Sequence, residues 1–225
     1  MILSCCPWKG GVMKTIILDF GSGNTCRNDI KILFPMIDAL AKIDKKRVCI
    51  IKWQLFKDAG NNCPLSETIF DIAYHYAADK GFKTTASVFD YKSLKFLLKY
   101  DIPFVKIAND KKLYKIIDYI PKEMPVVISH NGVDVVMETF FHKINFLSCV
   151  SKYPADIEQY EKIFSQDGLH HGISDHTCNS ELYQKYNPNF YECHFKLPSS
   201  TGLDAGPFAR TPQKIMEILN YDTNR

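Results

Sequence analysis

Runs of apolar, β-branched residues alternate with amphipathic stretches along the whole chain, and this alternation recurs eight times. Such a pattern is typical of a parallel sheet whose strands are joined by helices. The predicted strands are Ile16–Phe20, Arg47–Trp53, Lys83–Ser87, Phe104–Ala108, Val126–Ser129, Ile144–Val150, Leu169–Ser174 and Phe190–Phe195. The predicted helices are Ile30–Ile43, Ser66–Lys80, Tyr91–Tyr100, Lys111–Ile120, Val133–Phe141, Ile157–Ser165, Ser180–Tyr186 and Pro212–Leu219. Because eight strand–helix units close a (β/α)8 barrel, the sequence predicts an α/β fold made of a single TIM barrel.

An open, doubly wound sheet is the main alternative to the barrel, but it usually has fewer strands and a glycine fingerprint after the first one. Here the first turn reads GSGNTC, which lacks the third glycine of the GxGxxG pattern. The length of 225 residues suits one large α/β domain. We predict one barrel domain over residues 13–225, because Met13 and Lys14 lie directly before the first strand. Residues 1–12 form an extension, either upstream of the natural start or a plug under the barrel.

Composition and charge exclude several classes of function. No apolar run is long enough to cross a membrane, and the net charge of +3 is spread over mixed charges, so neither a membrane nor a nucleic acid is expected as a partner. The eight cysteines show no CxxC spacing and follow no signal peptide. We therefore expect free thiols and a cytoplasmic protein.

Polar side chains stand at the carboxyl ends of all eight predicted strands, where TIM barrels carry their active sites. They are Asp19; Lys52 and Gln54; Thr85 and Ser87; Lys106 and Asn109; Ser129 and Asn131; Ser151 and Tyr153; Ser174, Asp175 and His176; and Glu192 and His194. Lysines inside apolar strands are unfavourable to bury without an anionic partner. Lys52 and Lys106 are either paired structural lysines or, with the nearby serines, the favoured binding site for a phosphate or carboxylate.

Two motifs, GISDHT and ECHFKL, each carry one histidine at a predicted strand end. A single histidine in such a position is more often a structural hydrogen-bonding group than a metal ligand. Parallel neighbouring strands, however, bring His176 and His194 to the same edge of the sheet, with Asp175 and Glu192 alongside. This arrangement favours a shared divalent metal.

Several segments taken in order resemble the N-acetylneuraminate (sialic acid) synthase family, whose members condense phosphoenolpyruvate with an N-acylated aldose. The matching segments are IILDFGSGN, IIKWQ, TASVFD, VKIAND, VVISHNG, LSCVSKYPA, GISDHT, ECHFKL and, more loosely, GLDAGPF. They extend from about Ile16 to the end of the chain. The resemblance implies a nonulosonic acid and phosphate as products.

The resemblance also implies roles for individual residues. His176 and His194 correspond to the two protein ligands of Mn or Mg, with water and an aldose oxygen completing the shell; zinc is a chemical alternative. The positions that hold phosphoenolpyruvate are Lys52, Lys106, Ser87, Ser129 and Ser174, and those that line the sugar side are Glu192, Ser151, Tyr153, Asp19 and Asp204. Glu192, Asp19 and the two lysines are the catalytic candidates, with Glu192 moving protons to or from water.

The chain departs from the family pattern at three places. Asp19 stands where the family has a glutamate, and Asn109, a further substrate-binding candidate, stands where it has a serine. The chain ends at residue 225, so we expect no C-terminal antifreeze-like domain and no oligomer formed through one. In relatives that domain supplies an arginine to the sugar's N-acyl group. Arg27 and Arg210, on predicted active-site loops, are candidates to replace it, with a solvated loop arginine as the alternative for each.

Two other functions remain open at this point. One is another aldol or lyase reaction of a TIM barrel on a phosphorylated substrate. The other is a degenerate barrel that binds a sugar phosphate without turnover. The presence of both histidines and both lysines argues against such a loss of catalytic activity, whereas the altered first motif argues for it.

Overall fold

The computed structural model describes residues 14–56, 62–132, 143–166 and 172–223. Its strands are β1 Thr15–Asp19, β2 Cys49–Leu55, β3 Lys83–Val88, β4 Val105–Ile107, β5 Val126–His130, β6 Ile144–Cys149, β7 Gly172–Asp175 and β8 Phe190–His194. Its α-helices are α1 Gly23–Cys26, α2 Ile30–Ile43, α3 Glu67–Asp79, α4 Tyr91–Leu97, α5 Ile157–Gln166, α6 Glu181–Tyr186 and α7 Pro212–Thr223. Two 3-10 helices cover Lys111–Tyr119 and Leu203–Ala205.

The eight strands form one closed parallel barrel in chain order, since β8 pairs with β1. This confirms the predicted (β/α)8 fold. None of the helices within the described ranges is long and apolar enough to cross a bilayer.

The side chains inside the barrel change from apolar at one end to polar at the other. Because side chains alternate between the two faces of a strand, every second residue points inward. Toward the amino-terminal ends the inward side chains are apolar and form a small cluster of Ile17, Phe104, Val127 and Leu147. Two residues further along the same strands come Asp19, Lys106, Ser129 and Cys149. The apolar floor thus supports a polar layer at the carboxyl ends.

A second and larger core fills the space between the barrel and its helices. Helix α2 shows how the sequence builds it: Asp29 caps its first turn by accepting a hydrogen bond from the amide of Lys31, and its buried residues Leu33, Met36, Ile37 and Leu40 recur at helical spacing. These side chains belong to the same cluster as Leu18 and Trp53, which face outward from the sheet.

Most predicted elements are confirmed, with a few differences at their ends. Strand β2 begins at Cys49, because Arg47 has a left-handed backbone (φ 57°) and its guanidinium binds carbonyls of Lys80, Ala41 and Asp44. The predicted helix Lys111–Ile120 is a 3-10 helix, whose buried Leu113 and Ile116 are one such turn apart. The short elements Gly23–Cys26 and Leu203–Ala205 were not predicted. Residues 1–12, the predicted helix Val133–Phe141 and the first residues of the predicted strand Leu169–Ser174 lie outside the described residues.

Gly172 leaves room for the pairing of β7 with β8, and we expect Gly172→Ala to destabilise the barrel. A Cβ atom there would lie 2.5 Å from the carbonyl oxygen of Phe190 and 2.6 Å from a methyl group of Leu147, so the backbone must shift. The expected loss in the free energy of unfolding is about 1–3 kcal/mol, measured by urea denaturation. Lys162→Ala, on the exposed face of α5, is the control and should change it by less than about 0.5 kcal/mol. Equal stabilities of the two variants would contradict this account.

Candidate active site

A cavity of about 190 Å³ opens at the carboxyl ends of the strands. It is lined by Asp19, Lys52, Gln54, Ser87, Phe89, Lys106, Ala108, Asn109, Ser129, Cys149, Ser151, Tyr153, Ser174, His176, Glu192 and His194. The parallel register brings these side chains together, since Asp19 is level with Lys52 on one side and with His194 on the other. In the same way Ser174 is level with Glu192, and Ser87 with Lys106.

Lys52 is almost fully buried and is surrounded by acceptors. Its Nζ lies 2.6 Å from Asp19 Oδ2, 3.2 Å from Ser87 Oγ and 3.6 Å from Glu192 Oε1. Burial works against the charged form, but the attraction of Asp19 and Glu192 outweighs it and raises the pKa of Lys52. Lys52 is therefore a stably charged ammonium group.

Lys106 is equally buried but less well compensated. Its Nζ donates to Ser129 Oγ at 2.7 Å and to the Ile107 carbonyl at 3.1 Å, and lies 3.8 Å from Glu192 Oε2. Burial lowers the pKa of Lys106, and the attraction of Glu192 offsets this only in part. A negatively charged ligand beside Lys106 would favour its charged form and raise this pKa.

Glu192 stands between the two lysines. Ser174 Oγ donates to its Oε1 at 3.2 Å, whereas its Oε2 is buried without a hydrogen-bond partner among the described residues. A buried carboxylate oxygen without a donor is unfavourable. It can accept a hydrogen bond from a water molecule or a ligand in the cavity.

The two histidines face each other across the ends of β7 and β8, with ring centroids 5.5 Å apart. His176 Nδ1 lies 2.7 Å from the Val150 carbonyl, which requires an N–H at Nδ1 and leaves the lone pair on Nε2. Burial and the neighbouring His194 lower the pKa of His176 to about 3, so this ring is neutral at physiological pH. His194 Nδ1 is buried without a hydrogen-bond partner among the described residues.

Two carboxyl groups flank His194. Asp19 Oδ2 lies 3.8 Å from its Nε2, and Asp204 Oδ1 lies 3.9 Å from its Nδ1. Burial alone would raise the pKa of Asp19, but Lys52, His194 and the Gly21 amide hold it well below its usual range. Burial raises the pKa of Asp204, which has weaker compensation. The two acids thus differ in acid strength, and Asp19 is the stronger acid.

An aromatic wall closes one side of the histidine pair. The Tyr153 ring lies 4.2 Å from the ring of His176 and 5.8 Å from that of His194, centroid to centroid. Phe208 packs against His194 at 4.9 Å. Opposite, Asn109 Nδ2 donates to Ser151 Oγ at 3.0 Å and joins the loops after β4 and β6.

Most of the residues predicted from the sequence meet in this cavity. The lining includes Asp19, Lys52, Ser87, Lys106, Asn109, Ser129, Ser151, Tyr153, Ser174, His176, Glu192 and His194. Asp204 is not among the lining residues and lies behind His194, where its carboxyl group accepts from Ser22 Oγ at 3.4 Å.

The structure does not bring the two candidate arginines to the cavity. Arg27 is exposed and its Nη2 donates to Thr201 Oγ1 at 2.7 Å. Arg210 is fully buried, with its guanidinium 2.9 Å from Asp175 Oδ2 and bound to backbone carbonyls. Because the Arg210 guanidinium is buried, is held by Asp175 and these carbonyls, and is not among the groups that line the cavity, it is not placed to contact a sugar there.

Three lining residues, Phe89, Ala108 and Cys149, escaped the sequence analysis. Cys149 lies two residues before Ser151, and the two-residue period of a strand therefore indicates the same face. Phe89 directly follows β3, a position that could have been examined with the polar strand ends. Within the described residues, no group of three or more His, Cys, Asp and Glu side chains is arranged to hold a metal ion.

Comparison with known proteins gives the family. The sequence profile of the NeuB family matches residues 51–218, about three quarters of the chain. The chain belongs to the NeuB family. This confirms the resemblance to the N-acetylneuraminate synthases, and the matched region of this NeuB-family chain contains Lys52, Lys106, His176, Glu192 and His194. No functionally curated protein matches it.

Solved structures agree on the fold. An N-acetylneuraminic acid synthetase from Leptospira borgpetersenii aligns with a TM-score of 0.71 at 20% identity, over 94% of this chain and 83% of that one. The spore coat polysaccharide biosynthesis protein SpsE of Bacillus subtilis gives 0.72 at 19% identity, over 94% and 67%. A truncated 3-deoxy-D-arabino-heptulosonate 7-phosphate synthase from Thermotoga maritima gives 0.65 at 13%, over 96% and 87%. At these identities the likeness supports the barrel of the NeuB-family chain and not a particular substrate.

The neutral state of buried His176 should make the metal-free protein less stable in acid. In the unfolded chain His176 binds a proton near pH 6.5, whereas in the folded chain it does so only near pH 3. The free energy of unfolding therefore decreases as the pH falls between those values, because protonation stabilises only the unfolded state. At about pH 5 the contribution is about 2 kcal/mol. Urea denaturation at about pH 7.5 and 5, with chelator present, should therefore show a pH effect smaller by about that amount in His176→Gln than in wild type. The same reduction in His75→Gln, a surface change on α3, would contradict the assignment.

Proposed function

We propose that this NeuB-family protein condenses phosphoenolpyruvate with an N-acylated aldose resembling N-acetylmannosamine. The products are a nonulosonic acid of the sialic type and inorganic phosphate. One observation carries the proposal: two buried lysines, Lys52 and Lys106, flank the carboxylate of Glu192 in the same cavity as two imidazoles. This combination suits a phosphorylated, carboxylated substrate next to a carbonyl compound.

The lysine side of the cavity is the proposed site for phosphoenolpyruvate. Lys52 and Lys106 supply charge, and the hydroxyl groups of Ser87, Ser129 and Ser174 line the same wall. The incomplete compensation of Lys106 supports an anion there, since a buried ammonium gains most from a partner that arrives with the substrate.

The proposed reaction forms one carbon–carbon bond and breaks one carbon–oxygen bond. C3 of phosphoenolpyruvate attacks the aldehyde carbon, whose oxygen takes up a proton and becomes a hydroxyl group. Water adds at C2, and the tetrahedral intermediate expels phosphate by cleavage of the C2–O bond. Glu192 Oε2, which accepts no hydrogen bond from the described part of the chain, suits a group that takes a proton from this water, and the lysines offset the charge on the departing phosphate.

His176 and His194 are the proposed ligands of a divalent metal, Mn or Mg. The residues fit this role: His176 carries its proton on Nδ1, so its Nε2 presents a lone pair, with Ser174 Oγ 3.5 Å away. His194 Nδ1 is buried and has no hydrogen-bond partner among the described residues. Since the described chain offers two imidazoles and no third ligand in metal-binding geometry, oxygen atoms of water and substrate would complete the shell. When bound, the metal would act as a Lewis acid on the aldehyde oxygen.

The sugar would lie toward the rim. Asn109, Ser151 and Tyr153 offer an amide, a hydroxyl group and an exposed aromatic ring there, a combination that suits a polyol with an apolar face. Asp19 and Asp204 lie beside His194, 3.8 and 3.9 Å from its Nε2 and Nδ1. Neither Arg27 nor Arg210 takes part in this proposal.

We further propose that the protein works in a reducing compartment, the cytoplasm. Cys26, Cys49, Cys63, Cys149, Cys178 and Cys193 are free thiols, which supports this location.

Release of phosphate from phosphoenolpyruvate, measured with a panel of aldoses and with Mn, Mg or chelator, tests the proposal. We expect release that requires both an N-acylated aldose and a divalent cation, with mass-spectrometric detection of the nonulosonic acid. Release with no dependence on the aldose would favour a different reaction of a phosphorylated substrate. Binding of phosphoenolpyruvate without release under any condition would favour a binding barrel, and either result would overturn the proposal.

Substitutions of the lysines and of the histidines should affect the binding of different ligands. Lys106→Met should weaken phosphoenolpyruvate binding by at least about tenfold, measured by calorimetry, while Mn still binds. His176→Ala or His194→Ala should abolish Mn binding while leaving measurable affinity for phosphoenolpyruvate. Lys80→Met, which removes a lysine from the surface ion pair with Asp38, is the matched control. A histidine variant that binds Mn as tightly as wild type would show the metal assignment to be wrong.

A further inference from the structure

Arg210 holds the chain on both sides of His176. Its Nη2 donates to Asp175 Oδ2 at 2.9 Å, and its Nη1 donates to the Thr177 carbonyl at 2.5 Å. A further hydrogen bond goes to the carbonyl of Asn179. The side chain therefore forms hydrogen bonds with the residue before His176 and with the residue after it.

The backbone of the same residue holds the end of β8. The amide of Arg210 donates to the carbonyl of His194 at 2.7 Å, and the amide of Lys196 donates to the carbonyl of Arg210 at 2.9 Å. Arg210 thereby forms a parallel bridge with Phe195. One residue thus contacts the main chain beside both histidines.

The partner of Arg210 is itself fixed. Asp175 accepts hydrogen bonds from the Thr177 amide and hydroxyl group, both at 2.7 Å, and from the Tyr191 hydroxyl group at 2.7 Å. Tyr191 belongs to β8, so this carboxylate links β7 to β8 independently of its ion pair with Arg210. Asp175 and Arg210 are both fully buried.

A buried ion pair of this kind contributes little net stability compared with a well-packed apolar pair, because both charges lose their hydration. What it does supply is a fixed geometry, since a planar guanidinium with several bound acceptors allows little rotation. The acceptors of the guanidinium here flank His176, while the backbone amide of Arg210 binds the carbonyl of His194.

We propose that Arg210 is a positioning residue that sets the distance and orientation between the imidazoles of His176 and His194. The hydrogen bonds of its guanidinium go to Asp175, to the Thr177 hydroxyl group and to backbone carbonyls, so it acts through the residues that flank His176 and not through either ring. The effect of Arg210 on metal affinity rests on the proposed function. Its effect on the placement of the two rings does not.

The test compares Arg210→Lys with Arg47→Lys. Arg47 is the matched control, since it too binds backbone carbonyls with its guanidinium but lies at the opposite, amino-terminal end of the barrel. Imidazole nitrogen resonances of the metal-free proteins, recorded by heteronuclear NMR, report ring placement without any metal. Mn affinity, measured by electron paramagnetic resonance, reports the consequence, and thermal unfolding reports stability.

In Arg210→Lys we expect the ring signals of His176 and His194 to move and Mn binding to weaken by about tenfold or more. Arg47→Lys should lower the melting temperature while leaving both ring signals and Mn affinity as in wild type. Folded Arg210→Lys protein with wild-type ring signals would overturn the proposal, as would equal ring shifts in Arg47→Lys.

Two further variants keep the result interpretable. If Arg210→Lys does not fold, Asp175→Asn keeps the size of its side chain and removes the negative charge that Arg210 and Tyr191 contact, and the same ring shifts are expected. Wild-type ring signals in folded Asp175→Asn would then count against the proposal. Undiminished Mn binding in His176→Ala and His194→Ala would overturn the metal site alone, and the metal-free ring signals would still decide the role of Arg210.

Discussion

A buried ion pair between Lys52 and Asp19, 2.6 Å apart, joins β2 to β1 at the centre of the cavity. Through it four strands come into contact, since Lys52 also reaches Ser87 on β3 and Glu192 on β8. Asp19 in turn binds the amide of Gly21 and the side chain of Gln54. The polar layer of the barrel is thus a connected network, in which each charge is tolerated because the next one lies within about 4 Å.

Charge balance in this network explains what kind of ligand it can accept. The two ammonium groups of Lys52 and Lys106 face the two carboxyl groups of Asp19 and Glu192, so the formal charges cancel. A phosphorylated carboxylic acid would add about three negative charges, which the lysines alone cannot neutralise. The proposed divalent cation between the two imidazoles would offset two of them, which is an electrostatic reason for the lysine and histidine halves to share one cavity.

The sequence predicted the barrel and most of its lining for a simple reason. In a closed parallel sheet all carboxyl ends meet at one rim, so polar residues such as Lys106, Ser174 and His194 need only stand at strand ends to be brought together. The partners of individual residues were not predictable in this way. Arg210 is bound to Asp175, 35 positions away, because the segment after β8 packs back on the end of β7, and no local pattern encodes that contact. Phe89 and Ala108 escaped because apolar residues at a strand end carry no chemical signal of their own.

The loop after β1 and the loop after β8 interlock, since Gly202 packs on the Asn24 carbonyl and Arg27 binds Thr201. A side chain at Gly202 would meet that carbonyl at 2.4 Å. The first and last parts of the barrel therefore complete one another at the cavity. During synthesis, Asp19 emerges from the ribosome about 175 residues before His194 does, and the rim of the cavity stays open on this side until nearly the whole barrel has been made.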